Sequence, residues 1–84
     1  MLLKNKNAVV TGCNRGIGKE ILETFSSNGA NVFACVRNSD NNFINFTKEL
    51  EKKFNNNIFI IDLDLSDPEN IKNAANEILS KEKS

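Results

Sequence analysis

A short apolar run, Ala8-Val9-Val10, stands directly before Gly12, Gly16 and Gly18 in the segment TGCNRGIG, residues 11–18. A run this short, closed by a Thr-Gly turn signal, predicts a buried strand over about residues 7–11. Beyond the glycines, Ile17, Ile21, Leu22 and Phe25 recur at i, i+4, i+5 and i+8. They predict one apolar face of a helix that ends near Asn28-Gly29, where glycine takes the left-handed cap conformation. A strand that feeds a helix through such a turn brings unpaired N–H groups and the positive end of the helix dipole to one point, and that point attracts phosphate. On this reading Gly12 makes the tight turn, Gly16 lets a pyrophosphate approach the backbone, and Gly18 lets helix and strand pack closely.

The same alternation repeats twice. NVFACV, residues 31–36, is a second strand rich in strand-favouring residues. Phe43, Phe46, Leu50 and Phe54 then mark a second amphipathic helix in a charged background. NIFIIDL, residues 57–63, is a third strand whose continuous hydrophobicity calls for a sheet covered on both faces. The third helix opens at SDPEN, with Ser66 or Asp67 as cap, Pro68 in the first turn and Glu69 at capping-box spacing from Ser66. Its stripe is Ile71, Ala74, Ala75, Ile78 and Leu79, and the apolar-free tail SKEKS, residues 80–84, is expected to fray. Short connections between alternating strands and helices predict right-handed crossovers and a parallel sheet, βαβαβα, as one domain over residues 1–84.

Composition excludes several function classes. Eleven basic and eleven acidic side chains balance, so no electrostatic footprint points to nucleic acid or a membrane surface. Cys13 and Cys35 have neither a disulfide-framework nor a zinc spacing, and without histidine a metal site is not expected. They read as two reduced thiols. The start of the chain, MLLKNKNAVV, has no signal-peptide h-region, and no apolar run reaches the roughly 20 residues of a membrane span. The expectation is a soluble, cytoplasmic protein. The asparagine run 55–57 lies between periodic segments and reads as loop filler.

With its Thr-Gly-x-x-x-Gly-x-Gly spacing in the first βα turn, the chain resembles the short-chain dehydrogenase/reductase family, and TGCNRGIG looks most like the 3-oxoacyl-carrier-protein reductase branch. NGANVFACVRN is similar to the family's second strand, and DLDLSDPENI to the end of its third strand and the start of the next helix. The resemblance implies a three-layer Rossmann-like unit with strands in the order 3-2-1. It also implies that Gly12, Asn14, Arg15, Gly16, Ile17 and Gly18 line the dinucleotide phosphates and adenosine ribose. Asp64 would bond the adenine amino group and Leu65 would meet the ring through its backbone, whereas Asp62 points to the other side of the strand and reads as a surface acid. Cys13 stands where the family has a small residue.

Cofactor choice in such a fold is set at the end of the second strand, where an acid would bond the ribose of NAD and repel a 2′-phosphate. Val36 and Arg37 occupy that place. With Arg15 and Arg37 able to converge on a phosphate, NADP(H) is preferred over NAD(H). The family's catalytic tyrosine has no counterpart, because the chain contains no tyrosine. The expectation is therefore the cofactor-binding portion of a reductase acting on a ketone or 3-oxoacyl thioester, as in fatty acid biosynthesis. It would be catalytically incompetent by itself and incomplete relative to the family's domain, with no catalytic and no metal-binding residues. The alternatives are a stand-alone, non-catalytic dinucleotide-binding or regulatory module and a gene remnant that does not fold. The family implies a homo-oligomeric parent enzyme, and a strand left at a sheet edge invites self-association.

Overall fold

In the computed structural model, which describes residues 5–82, the chain runs β1 (Asn7–Thr11), α1 (Gly16–Ser27), β2 (Asn31–Val36), α2 (Asn41–Phe54), β3 (Ile58–Asp62) and α3 (Pro68–Glu82). The strands form one parallel sheet in the order β1-β2-β3. Register pairs Val9 with Phe33 and Cys35 with Ile61. This is the α/β unit expected from the alternation, with the predicted strand order.

Alternation along β2 splits the core in two. Val32, Ala34 and Val36 face α1 and α2, where they pack with Val10, Leu22, Phe43, Leu50 and Ile58. Phe33 and Cys35 face the other way and meet Ile61 and Ala74 of α3, with Phe33 stacked on Phe59 at 5.2 Å between ring centroids. Both faces of β2 are thus covered, as its unbroken apolar run requires.

The first two helices stop for local reasons. At the end of α1 the Gly29 N–H donates to Ser26 O (3.0 Å) and the Ala30 N–H to Phe25 O (3.1 Å), the two bonds of a Schellman motif. Asp40 caps α2 by accepting from the Phe43 N–H at 2.8 Å, and Asn55 ends it in the left-handed conformation at φ 55°, a region asparagine tolerates better than most residues. The asparagine run is more than filler. Asn56 Nδ2 donates to Ala30 O (2.8 Å) and the Asn57 N–H to Asn31 Oδ1 (3.0 Å), tying the start of β3 to that of β2.

The third helix departs from expectation in three ways. Of the two expected caps Asp67 serves, its Oδ1 accepting from the Glu69 and Asn70 N–H groups, but Ser66 turns back to Asp64, so the Ser66–Glu69 box does not form. The helix continues through residues 80–82, three of the five expected to fray, with Lys81 Nζ 5.3 Å from the centre of the Phe59 ring. Residues 83 and 84 lie outside the described part. Only Ala74 and Ile78 of the stripe reach the sheet; Ile71, Ala75 and Leu79 are exposed. The same holds for α1, where Leu22 and Phe25 pack inward but Ile17 is 77% exposed. At about 3.6 residues per turn, Ile17 and Ile21 lie on the flank of α1 away from α2. They stand beside the edge strand β1, whose Val9 is itself 52% exposed.

Candidate functional site

The glycine turn is built as its spacing demands. Gly12 and Gly16 sit at φ +60° and +56°, a conformation that side-chain-bearing residues rarely adopt, and a Cβ at either would meet nothing within 4 Å. Open space, not crowding, surrounds both. Gly18 is the opposite case. A Cβ there would overlap the Gly12 carbonyl oxygen, lie 2.7 Å from the carbonyl carbon and 3.1 Å from Cys13 Cα, so the start of α1 rests on the end of β1 with no room for a side chain. The Gly12 N–H donates to Cys35 O at 3.0 Å, which continues the ladder into the turn.

Cys13 anchors the turn from below. Its fully buried Sγ lies 3.6 Å from both Val10 O and Cys35 O, and burial pushes the thiol up to about 11. Cys35 is buried on the opposite face with its thiol also raised, first by burial and then by the charge of Glu77. Both are free thiols, as the spacing suggested.

Arg15 occupies the N-cap of α1 in an extended conformation and makes no side-chain cap bond. The first-turn N–H groups, which have no partner within a helix, are therefore left for something else to bond. Beside them opens a cleft of about 480 Å³ at the C-terminal ends of all three strands, lined by Gly12, Asn14, Arg15, Arg37, Asp64 and Leu65 together with Thr11, Cys35, Leu63 and Ser66. Six of the nine expected site residues thus share one cavity. Gly16 lies on the α1–α2 side with Lys19 and Phe46, Ile17 borders a shallow groove with Ile21 and Phe25, and Gly18 is packed against the turn.

Asp64 is more constrained than its role by resemblance suggested. Its Oδ1 accepts from the Ser66 hydroxyl at 2.6 Å and from the Ser66 N–H at 3.0 Å, and Oδ2 lies 3.8 Å from Arg37 Nε. The Ser66 hydroxyl, then the Ser66 N–H, and after them Arg37, hold the carboxyl below its ordinary value. The group is an ionised acceptor with capacity left on Oδ2. Arg37 is 71% exposed, and a pair this open is weak, so its guanidinium is free to move to a phosphate.

One expectation shifts and one holds. The Val36 side chain is buried in the core beneath α1 and α2 and does not line the cleft, whereas those of Arg15 and Arg37 do. Asp62 is exposed and outside the cleft, the surface acid expected of it. Ser66, expected as a helix cap, and Asn70, for which no role was expected, both shape the loop that carries Asp64. Among the described residues no group of three or more potential metal ligands occurs, and no helix is long and apolar enough to cross a membrane.

Comparison with known proteins agrees with this fold. Retinol dehydrogenase 11 of Mus musculus is 35% identical over 81 residues, covering 96% of this chain and 26% of that protein. The 3-oxoacyl-[acyl-carrier-protein] reductase of Buchnera aphidicola is also 35% identical over 81 residues, covering 96% and 31%. An L-sorbose reductase from Gluconobacter frateurii, solved with NADPH and L-sorbose, superimposes with a TM-score of 0.82 at 28% identity over 95% of this chain and 31% of its own. The NADPH-dependent 3-quinuclidinone reductase of Rhodotorula rubra gives 0.83 at 25% identity over 94% and 29%. The chain spans about a quarter to a third of the length of these relatives. Residues 6–83, from the start of β1 through α3, match the short chain dehydrogenase family, and with the glycine turn set at the mouth of a parallel sheet the chain belongs to that family.

Proposed function

We propose that the cleft takes the adenosine 2′-phosphate end of NADP(H), in preference to NAD(H), for an oxidoreductase that reduces a ketone or a 3-oxoacyl thioester. The observation that carries this reading is the convergence of Gly12, Asn14, Arg15, Arg37, Asp64 and Leu65 on one cleft at the strand ends. The open space over Gly12 and Gly16 suits a phosphate pressed against backbone. The uncapped first turn of α1, formed by Gly16, Ile17 and Gly18, supplies N–H donors to it. Arg15 and Arg37 are the cations for a 2′-phosphate, with Arg37 leaving Asp64 as Asp64 turns to the base. When bound, NADPH supplies the hydride; this chain's residues hold and orient it.

The retinol dehydrogenase and the 3-oxoacyl-carrier-protein reductase match at the same identity over the same share of this chain. What they share with this chain is the cofactor-binding portion, and the 3-oxoacyl branch rests on the Asn-Arg-Gly-Ile-Gly turn alone. With no tyrosine in the 84 residues, the family's proton donor is missing from them. The reading is binding without turnover by these residues, in a cytoplasmic protein whose copies associate through the free edge of β1.

The test is a fluorescence titration of the 84-residue chain with NADPH and NADH. A charge-assisted hydrogen bond contributes roughly 1.5–3 kcal/mol, so Arg37→Ala should weaken NADPH binding about 10- to 100-fold and leave NADH unchanged. Equal losses for both, or none, would remove Arg37 from the site. Failure of the wild-type chain to bind either dinucleotide would overturn the reading, and reproducible NADPH oxidation with a ketone would overturn the absence of turnover.

A further inference from the structure

Asp62 pairs with Val36 and the Leu63 N–H bonds Val36 O on the β2 side, but on its outer side the backbone of residues 62–64 has no neighbouring strand among the described residues. Asn70 takes that place. From the first turn of α3 its Oδ1 accepts from the Asp64 N–H at 2.5 Å, and its Nδ2 donates to Asp62 O at 3.3 Å. One carboxamide thus bonds a backbone donor and a backbone acceptor two residues apart, as an adjacent strand would. The third position of a helix commonly reaches back to its own cap. Asn70, three residues after Asp67, instead crosses to the strand end.

We infer that Asn70 is a positioning residue for base recognition: it fixes the backbone from which Asp64 projects into the cleft, and so sets the preference for a purine carrying an exocyclic amine. The inference rests on the reading of the cleft as an adenosine site. The chemistry follows from Asp64 itself. Ionised and acceptor-only, it favours the amine of adenine and repels the keto oxygen that hypoxanthine carries at the same place. That discrimination requires the carboxylate to be aimed, and its own bonds to Ser66 orient it only relative to a backbone that Asn70 holds.

The experiment titrates the chain with adenosine 2′,5′-bisphosphate and with inosine 2′,5′-bisphosphate, and follows amide hydrogen exchange at Asp64. The wild-type chain should prefer the adenosine form at least about tenfold, as expected when a site built for a donor meets an acceptor. Asn70→Ala should bring the ratio below about threefold and speed exchange of the Asp64 N–H. Asn70→Asp keeps an acceptor for that N–H and an acid in the first helical turn, so it should retain most of the preference and the protection. Circular dichroism establishes that both variants are folded, and if Asn70→Ala is not, loss of preference in a folded Asn70→Leu carries the same test. An unchanged ratio in the alanine variant, with faster exchange at Asp64, makes Asn70 a structural bond only and overturns the inference while the adenosine reading stands. Equal binding of both bisphosphates by the wild-type chain overturns the inference through Asp64. Binding of neither overturns the adenosine reading itself, and Asn70's part in it.

Discussion

Gly18→Ala places two opposing effects on one methyl group. Alanine in place of glycine favours a helix by at most about 1 kcal/mol, and the position lies in the first turn of α1, where that gain is smallest. Against it stands the overlap of the new Cβ with the Gly12 carbonyl oxygen and its 2.7 Å approach to the carbonyl carbon. Those atoms are backbone, held by the bond from the Gly12 N–H to Cys35 O, so no side chain can swing aside. Overpacking costs typically about 1–3 kcal/mol, and an immovable neighbour puts this case near the top. The net loss is about 2 kcal/mol. In a domain of this size 1 kcal/mol moves the midpoint by roughly 4–8 °C, so the variant should melt about 8–16 °C lower by circular dichroism, with urea giving the same ordering. Gly12→Ala is the control. It meets open space, and its cost is the left-handed conformation alone, roughly 1–2 kcal/mol. A Gly18→Ala chain as stable as wild type would show that α1 and β1 can separate at the turn, and would refute the close-packing role assigned to that glycine.

Leu22→Ala removes a fully buried side chain from the α1 side of the core and should cost about 2–5 kcal/mol; in an 84-residue domain that is enough to leave a large unfolded fraction at 37 °C, measurable by urea titration. Asp40→Ala removes the bond to the Phe43 N–H and should cost about 1 kcal/mol, read as a midpoint shift of a few degrees, with no change in α1. Burial raises the Cys13 thiol from 9.0 to about 11, so the folded state holds that proton more tightly than the unfolded state does. The stability it contributes is intact below pH 9 and falls as pH rises from 9 to 11, at up to roughly 1.4 kcal/mol per pH unit. Urea midpoints across that range should fall in the wild-type chain and fall less in Cys13→Ser, and equal slopes would refute the assignment.

What the sequence made legible was what periodicity and spacing encode. Three apolar runs matched three strands to within one residue, and the 12–16–18 glycine spacing located a turn whose two open glycines and one crowded glycine the structure separates. Apolar stripes say which side of a helix wants cover, but not whether a neighbour supplies it. Ile17, Ile21, Ile71 and Leu79 fit their stripes and are exposed. Side-chain bonds to distant backbone carry no periodic signal at all. Asn70 to Asp62 spans eight residues and Asn56 to Ala30 spans 26, and nothing in either neighbourhood marks the partner. The Arg37–Asp64 pair was hidden differently. Each residue had been given a separate partner on the cofactor, and only the folded chain shows them facing each other.

The position of the cleft follows from the handedness of the chain. β1, β2 and β3 are laid down in one lateral direction with α1 and α2 on the same face, the outcome of two right-handed crossovers. α3 lies on the opposite face, against Phe33, Phe59 and Ile61. A right-handed crossover through a helix on that face moves back across the sheet, and since β2 already fills the place beside β1 and β3, the position available to a further parallel strand is the free edge of β1. The uncovered apolar groups lie along the same side: Val9 on the strand, and Ile17 and Ile21 on the flank of α1. The connection after β1 therefore rises to one face and the connection after β3 to the other, and loops that part in this way leave a crevice at the strand ends. Gly12, Arg15 and Asp64 reach one cavity because the helices they lead into diverge, so the reversal in direction that leaves the outer edge of β1 without a strand among the described residues also opens the cleft.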